Sequence, residues 1–223
     1  MLKIDLHLHC KGDPKDTWIK YTSKELIDKA KEIGLDVIAI TPHEKVFDDA
    51  EAIAYAKKQN ILLIPGIEKN ISKKHTIILN PDKQIEKIHT LKELKEYKKK
   101  HPEILIIAAH PFYGTKASHN YNITRNLKLF DAWEFSYFYT NKINPNKRLK
   151  RIARLYKKPI IGNSDTHILK NLGRTYSKVP AMKDTRNIFD SIRAGRIEIK
   201  TTPLTNKEFL KSAIKMIFRI KSK

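Results

Sequence analysis

Two imidazoles one residue apart, His7 and His9, close an apolar run from Leu2 to Leu8. Read as a β-strand, the run puts side chains at i and i+2 on one side. Both rings then project from the same end and can grip one metal ion. Further acidic and imidazole side chains follow beside later predicted strands: Asp13, His43, Glu68, His75, His110, Asp165 and His167. That is more than one cation needs, because a divalent ion takes three or four protein ligands and keeps a position for water. The set suits two or three ions about 3.5–4 Å apart with hydroxide between them. Nitrogen and oxygen donors without thiolate point to Zn, Mn or Fe. Cys10, the single cysteine, is expected to turn away from His9 and pack.

The elements that must position these groups alternate between strand and helix. Thr22 to Glu25 has capping-box spacing and opens a helix that Gly34 ends. A buried strand from Asp36 to Thr41 leads to His43, and Asp48 or Asp49 starts the next helix. Ile61 to Ile64 forms a third strand that stops at Pro65 to Glu68. His75 to Leu79 is a short strand, and charged helical sequence runs from about Pro81 to Lys100. Strands at 104–109 and 159–162 precede His110 and Asp165, and a strand at 132–135 carries Glu134 near its end. Helices are expected over 144–156 and 184–194, a last strand over 197–200, and a C-terminal helix capped by Asn206. Such alternation implies parallel βαβ units. Polar residues placed just after the strands converge on one rim of a barrel. No Gly-rich phosphate loop follows the first strand. No linker rich in Pro, Gly or Ser divides the chain, so residues 1–223 are expected to form a single α/β domain, with 206–223 as a basic C-terminal helix.

The chain has 223 residues, 45 Lys plus Arg against 24 Asp plus Glu, and a formal charge of +21. That balance favours anionic partners such as nucleic acid or phosphorylated metabolites. A lone cysteine excludes an intrachain disulfide and fits a reducing compartment. No apolar run is long enough to span a bilayer, and the N-terminus lacks a basic-then-apolar signal region. A cytoplasmic protein is expected. The oligomeric state is left open.

Taken together, Asp5-Leu6-His7-Leu8-His9, Ile40-Thr41-Pro42-His43, Pro65-Gly66-Ile67-Glu68, Ala109-His110-Pro111 and Asn163-Ser164-Asp165-Thr166-His167 resemble the PHP (polymerase and histidinol phosphatase) superfamily. The resemblance runs from Lys3 to about Lys200. It implies a distorted (β/α)7 TIM-like barrel with a trinuclear metal site. Matched by motif, His7, His9, Glu68 and Asp165 would hold one ion. Glu68 would bridge to a second, completed by His75 and His110. His43 and His167 with Asp13 would hold a third. Two motifs depart from the family: Pro42 stands where many members carry Asp, and Cys10-Lys11-Gly12-Asp13-Pro14 replaces the usual Ser-Asp-Gly loop.

The expected reaction is hydrolysis of a phosphate ester by metal-bound hydroxide, with no separate nucleophilic side chain. Lys45, Lys116, His119, Arg125 and Arg174 lie on or near rim loops and are candidate phosphate ligands. Glu134 ends a strand and is either a site residue or a support. The substrate is expected to be a small phosphomonoester, such as a nucleotide or histidinol phosphate. A nuclease acting on DNA or RNA ends is the alternative. A non-catalytic RNA-binding barrel is the third reading, with the archaeal protein subunit of ribonuclease P as the precedent that shares the barrel. The last helix is expected to pack Phe209, Ala213, Ile214 and Ile217 on the core. Its stripe of Lys207, Lys211, Lys215 and Arg219 would face water, RNA or a membrane surface.

Overall fold

The computed structural model describes the backbone of residues 1–221, and side chains through Ile214. Seven strands form the barrel wall: β1 (Leu2–Leu8), β2 (Val37–Ile40), β3 (Leu62–Ile71), β4 (Lys74–Leu79), β5 (Leu105–Ala108), β6 (Ala132–Ser136) and β7 (Ile160–Asn163). They are neighbours in that order. Just beyond β7, Thr166 meets Leu8 in a parallel bridge, and His9 N–H donates to Thr166 O at 3.2 Å, nearly closing the circle. The expected distorted α/β barrel is the fold. Outside it lie α1 (Ser23–Glu32), α2 (Ala50–Lys58), α3 (Leu91–Lys100), α4 (Asn146–Leu155) and α5 (Thr185–Arg193).

Each helix begins where its sequence supplies a partner for the free N–H groups of its first turn. Thr22 with Glu25 and Thr90 with Glu93 form capping boxes, and Asp49 caps α2. Alternate residues of the strands face inward. Ile4, Leu6, Ala39, Ile64, Ile107 and Ile161 make one buried cluster inside the barrel, joined by Ile188 and Phe189 of α5. The opposite faces pack against the surrounding helices in two further clusters.

Four local expectations are corrected. β3 does not stop at Pro65 but runs through Glu68 to Ile71. It then turns tightly at Ser72 and Lys73, both with positive φ, into antiparallel β4. β4 is also antiparallel to β5, so the barrel is not uniformly parallel. A strand missed in the sequence, β8 (Thr175–Val179), pairs antiparallel with the first half of β1 and with β9 (Glu198–Thr201). Its sequence, TYSKV, has too little apolar content to mark it.

The last correction concerns α6 (Asn206–Lys221), whose cap is Thr205: Thr205 Oγ1 accepts from Glu208 N–H at 3.2 Å. None of the described side chains of α6 is fully buried, and Leu210 and Ile214 are exposed. The helix is tethered instead by Phe209 stacked on Phe138 and by an ion pair of Glu208 with Arg174. The side chains of Lys215, Ile217 and Arg219, and residues 222–223, lie outside the described residues. No helix among the described residues is long and apolar enough to cross a membrane.

Candidate metal centre

The pairing of β1 with β2 slips between Asp5 and Leu8. Ile4 and Leu6 lie in the barrel interior, whereas Leu8 packs in the outer cluster with α1. Such irregularities re-aim side chains near active sites. Here both rings come to the mouth: His7 Nε2 and His9 Nε2 are 3.1 Å apart and both residues are fully buried.

The mouth is completed from distant strands. Glu68 Oε2 lies 3.4 Å from His7 Nε2 and 3.5 Å from His9 Nε2. Asp165 Oδ1 lies 3.3 and 3.4 Å from the same two nitrogens. Donors held about 2.0–2.1 Å from a tetrahedral zinc stand about 3.3–3.4 Å from one another. All five spacings, from 3.1 to 3.5 Å, fit the edges of such a tetrahedron.

The other carboxylate oxygen of Glu68 turns to a second cluster. Glu68 Oε1 is 2.7 Å from His75 Nδ1 and 3.4 Å from His110 Nε2. Yet Glu68 Oε1, His75 Nδ1 and Asp165 Oδ1 are buried atoms with no hydrogen-bond partner. Buried polar atoms without partners are costly, and cations bound at the mouth would satisfy them. His75 reaches the mouth from near the start of its strand because β4 runs against its neighbours.

A third group surrounds Asp13. His9 Nδ1 donates to Asp13 Oδ2 at 2.8 Å, His43 Nδ1 and N–H reach the same oxygen at 3.0 Å each, and Lys15 and Asp16 N–H donate to Oδ1. His43 Nε2 points the other way, 3.0 Å from Glu68 Oε2. Asp16, not singled out in the sequence, sits 3.0 Å from His167 Nε2 and 3.5 Å from His43 Nδ1. The only signal for it was a second Asp three residues after Asp13 in one polar loop.

Glu134 supports the first cluster from below. Its Oε1 accepts from His7 Nδ1 at 2.8 Å and from Asn163 Nδ2 at 2.9 Å, and its Oε2 accepts from His110 N–H at 2.9 Å. Three elements are thereby fixed by one fully buried carboxylate. A carboxylate on the far nitrogen of a ligating imidazole sets its tautomer and orientation. His110 and Asp165 have φ of 28° and 45°. Non-glycine residues rarely adopt this region, and such strain collects at functional sites.

Burial disfavours charge on these groups, yet their mutual attraction outweighs it. His7 is raised well above its usual pKa because Glu134, Asp165 and Glu68 surround it, against the effect of burial. His43 is likewise raised to about 10 by Glu68 and Asp13. Glu68 is held well below the carboxylate range by His75, His43 and His7, although burial acts to raise it. Asp165 is lowered by His7 and His167, again against burial. Without metal, the raised imidazoles of His7 and His43 thus face these carboxylates as ion pairs.

A family described as PHP_C, PHP-associated, matches residues 144–197. A two-domain protein from Bacteroides vulgatus ATCC 8482 that contains a predicted PHP-like metal-dependent phosphoesterase is similar in structure, with a TM-score of 0.65 at 18% identity over 94% of this chain and 68% of that one. The likeness to that structure is one of fold, and the family match is confined to residues 144–197. PsfC from Pseudomonas syringae PB-5123 has a similar fold, with a TM-score of 0.65 at 15% identity, and the match covers 100% of this chain and 99% of that one. An amidohydrolase from Chromobacterium violaceum, solved with bound sulfate and no metal, has a TM-score of 0.55 at 16% identity over 87% and 97% of the two chains. No curated protein matches the sequence.

Two candidate phosphate ligands are corrected. His119 is buried, with Nε2 donating to His75 O at 3.0 Å and its ring packed edge-on against Phe130. Burial pushes its pKa down to about 3, so it is a neutral support behind His75. Arg174 is committed to Glu208 and Pro203 O, where it tethers α6. Lys45, Lys116 and Arg125 are exposed on their loops, and none forms a hydrogen bond or ion pair with the nine clustered residues. Cys10 is buried as expected, and burial pushes its thiol up to about 12.

Proposed function

We propose that this chain is a metal-dependent phosphoesterase. The observation that supports it most directly is the donor set His7, His9, Glu68 and Asp165, spaced as the edges of a metal tetrahedron and lined with buried atoms that lack partners. His75 and His110, sharing Glu68 Oε1, are the ligands of a second ion. Four groups of the cluster bring three donor atoms close enough to share a cation, and His9, His43, Asp13, Asp165 and His167 account for those on the third side. We read Asp13 as able either to ligate there or to hold the imidazoles of His9 and His43 in place. Divalent cations would lower the pKa of water and offset charge on phosphoryl oxygens.

The protein's own residues do the rest. Glu134 holds His7 so that Nε2 faces the mouth, and the barrel wall excludes water from the buried side. Asp165, His75, His110 and His167 are part-exposed and form the side from which substrate enters. An anionic substrate suits a chain with a formal charge of +21. The similar amidohydrolase holds sulfate, which has the tetrahedral oxyanion shape of phosphate. The metals would be Zn, Mn or Fe.

The test is to purify the protein without chelator, measure bound metal, and assay bis-p-nitrophenyl phosphate, mononucleotides and short oligonucleotides with Mn, Zn and Fe. Turnover that a chelator abolishes is expected. Stoichiometric metal with no ester cleaved under any condition would reject the reading.

A further inference from the structure

Between Glu134 and Asp165 the chain has no acidic residue and eight lysines or arginines. The centre of this stretch is α4. Asn146, Leu149, Ile152 and Ala153 are its buried side. Lys147, Arg151 and Arg154 are spaced as neighbours along the opposite face, are exposed, and have no ion-pair or hydrogen-bond partner among the described residues. This is unlike the cations on other helices, where Lys29, Lys99 and Arg193 each pair with an acid one turn away.

The stripe connects two places. At the first turn Arg148 lies over the ring of Tyr121, 4.3 Å from its centre, and over Phe112 at 5.4 Å. Phe112 follows the candidate ligand His110 by two residues, so this end reaches the metal rim. At the other end Lys157, Lys158 and Arg193 line a cleft of about 690 Å³. Lys158 there has a lowered pKa, because it is partly buried and close to Lys98 despite Asp131. A bound anion would relieve that cost. Two aromatic rings, Tyr121 and Tyr156, stay half-exposed beside the cations, at 50% and 40%.

A small monoester would engage one or two of these cations and leave the others without a purpose. A membrane surface would require a continuous exposed apolar face beside them; apart from Leu155, 72% exposed in the last turn, the apolar side chains of α4 are buried. Cations in a row with an aromatic ring at either end match the needs of an extended phosphate backbone carrying unpaired bases. A helix of this length spans about 15 Å, enough for roughly four phosphates at the spacing of a nucleic-acid strand.

We infer that α4 is a docking rail for single-stranded nucleic acid, with its cations on the phosphates and Tyr121 and Tyr156 stacking on bases. The inference deepens the phosphoesterase reading by naming a substrate class, but the binding itself does not depend on metal. The test is fluorescence anisotropy of a labelled single-stranded oligonucleotide in excess chelator. Four neutralised phosphates predict an affinity that falls about 50-fold between 50 and 200 mM salt. Lys147→Glu/Arg151→Glu/Arg154→Glu is expected to lose about tenfold or more in affinity and to show a flatter salt slope. Lys57→Glu/Lys58→Glu/Lys95→Glu makes the same charge change on α2 and α3 and is expected to stay within about threefold.

Equal losses in the two variants would reduce the effect to net charge and overturn the rail. Binding to phosphatidylserine vesicles without binding to the oligonucleotide would overturn it in favour of a membrane surface. Wild-type turnover of bis-p-nitrophenyl phosphate with Mn is read separately. Oligonucleotide binding through α4 with no ester cleaved sustains the rail and removes the enzyme reading alone.

Discussion

The barrel mouth and the outer face of α4 handle charge in opposite ways. At the mouth, Glu68, Asp165, Asp13 and Glu134 are interleaved with imidazoles, and nearly every charge has an opposite one within 3.5 Å. On α4, Lys147, Arg151 and Arg154 carry one sign of charge into water with no acidic partner among the described residues. A buried charge must be compensated from inside the fold, because desolvation is expensive. An exposed charge costs little and remains available to a partner from outside. The first arrangement is suited to small cations held in fixed geometry, and the second to a flexible polyanion held by many weak contacts.

Predictions that break or sharpen this contrast begin at Glu68, which touches His7, His9, His43, His75 and His110. Glu68→Ala is expected to lose bound metal and about 10²–10³-fold in turnover. Its oligonucleotide affinity in chelator should stay within about twofold, since distant sites act independently. A matching loss of both would mean that rim and wall are one site.

Metal affinity should rise steeply with pH. In the metal-free protein His7 is raised well above its usual value and His43 to about 10, so a cation must displace their protons at neutrality. Competition with a chelating indicator from pH 6 to 8 should show about tenfold tighter binding per pH unit for each proton released. The same sign governs the stability of the metal-free form. A raised histidine stabilises the fold fully below the unfolded value of 6.5, and that contribution is lost as pH rises through about 10. Thermal unfolding without metal should therefore occur at lower temperature at pH 10 than at pH 7. A flat affinity profile would show that the imidazoles are neutral before metal arrives.

Glu134→Gln keeps the shape but removes the negative charge that orients His7. The expected loss in metal affinity is roughly 10–100-fold, with the fold intact by circular dichroism. An unchanged affinity would reduce Glu134 to packing. The smallest effect is that of chelation on binding: stripping metal should leave oligonucleotide affinity within about twofold, although it abolishes hydrolysis.

Some of this was legible before any fold was known. The i, i+2 spacing of His7 and His9 needs only strand geometry, and the gathering of Glu68, His110 and Asp165 at one mouth needs only the order of strands. The block of eight cations without an acid between Glu134 and Asp165 is plain in the sequence. That Lys147, Arg151 and Arg154 share one helix face follows from helical spacing, because local periodicity sets which side a residue takes.

What local periodicity could not decide was contact between segments far apart along the chain. The reversal of β4 brought His75 to the mouth from the wrong end of its strand. The slip in β1 moved Leu8 outward, and closure of the barrel placed Glu134 against an imidazole 127 residues away. It also buried His119 behind the site that it was expected to serve. Those outcomes depend on how the strands close and which pairs must share a dry interior, and that balance of desolvation and pairing exists only in the folded molecule.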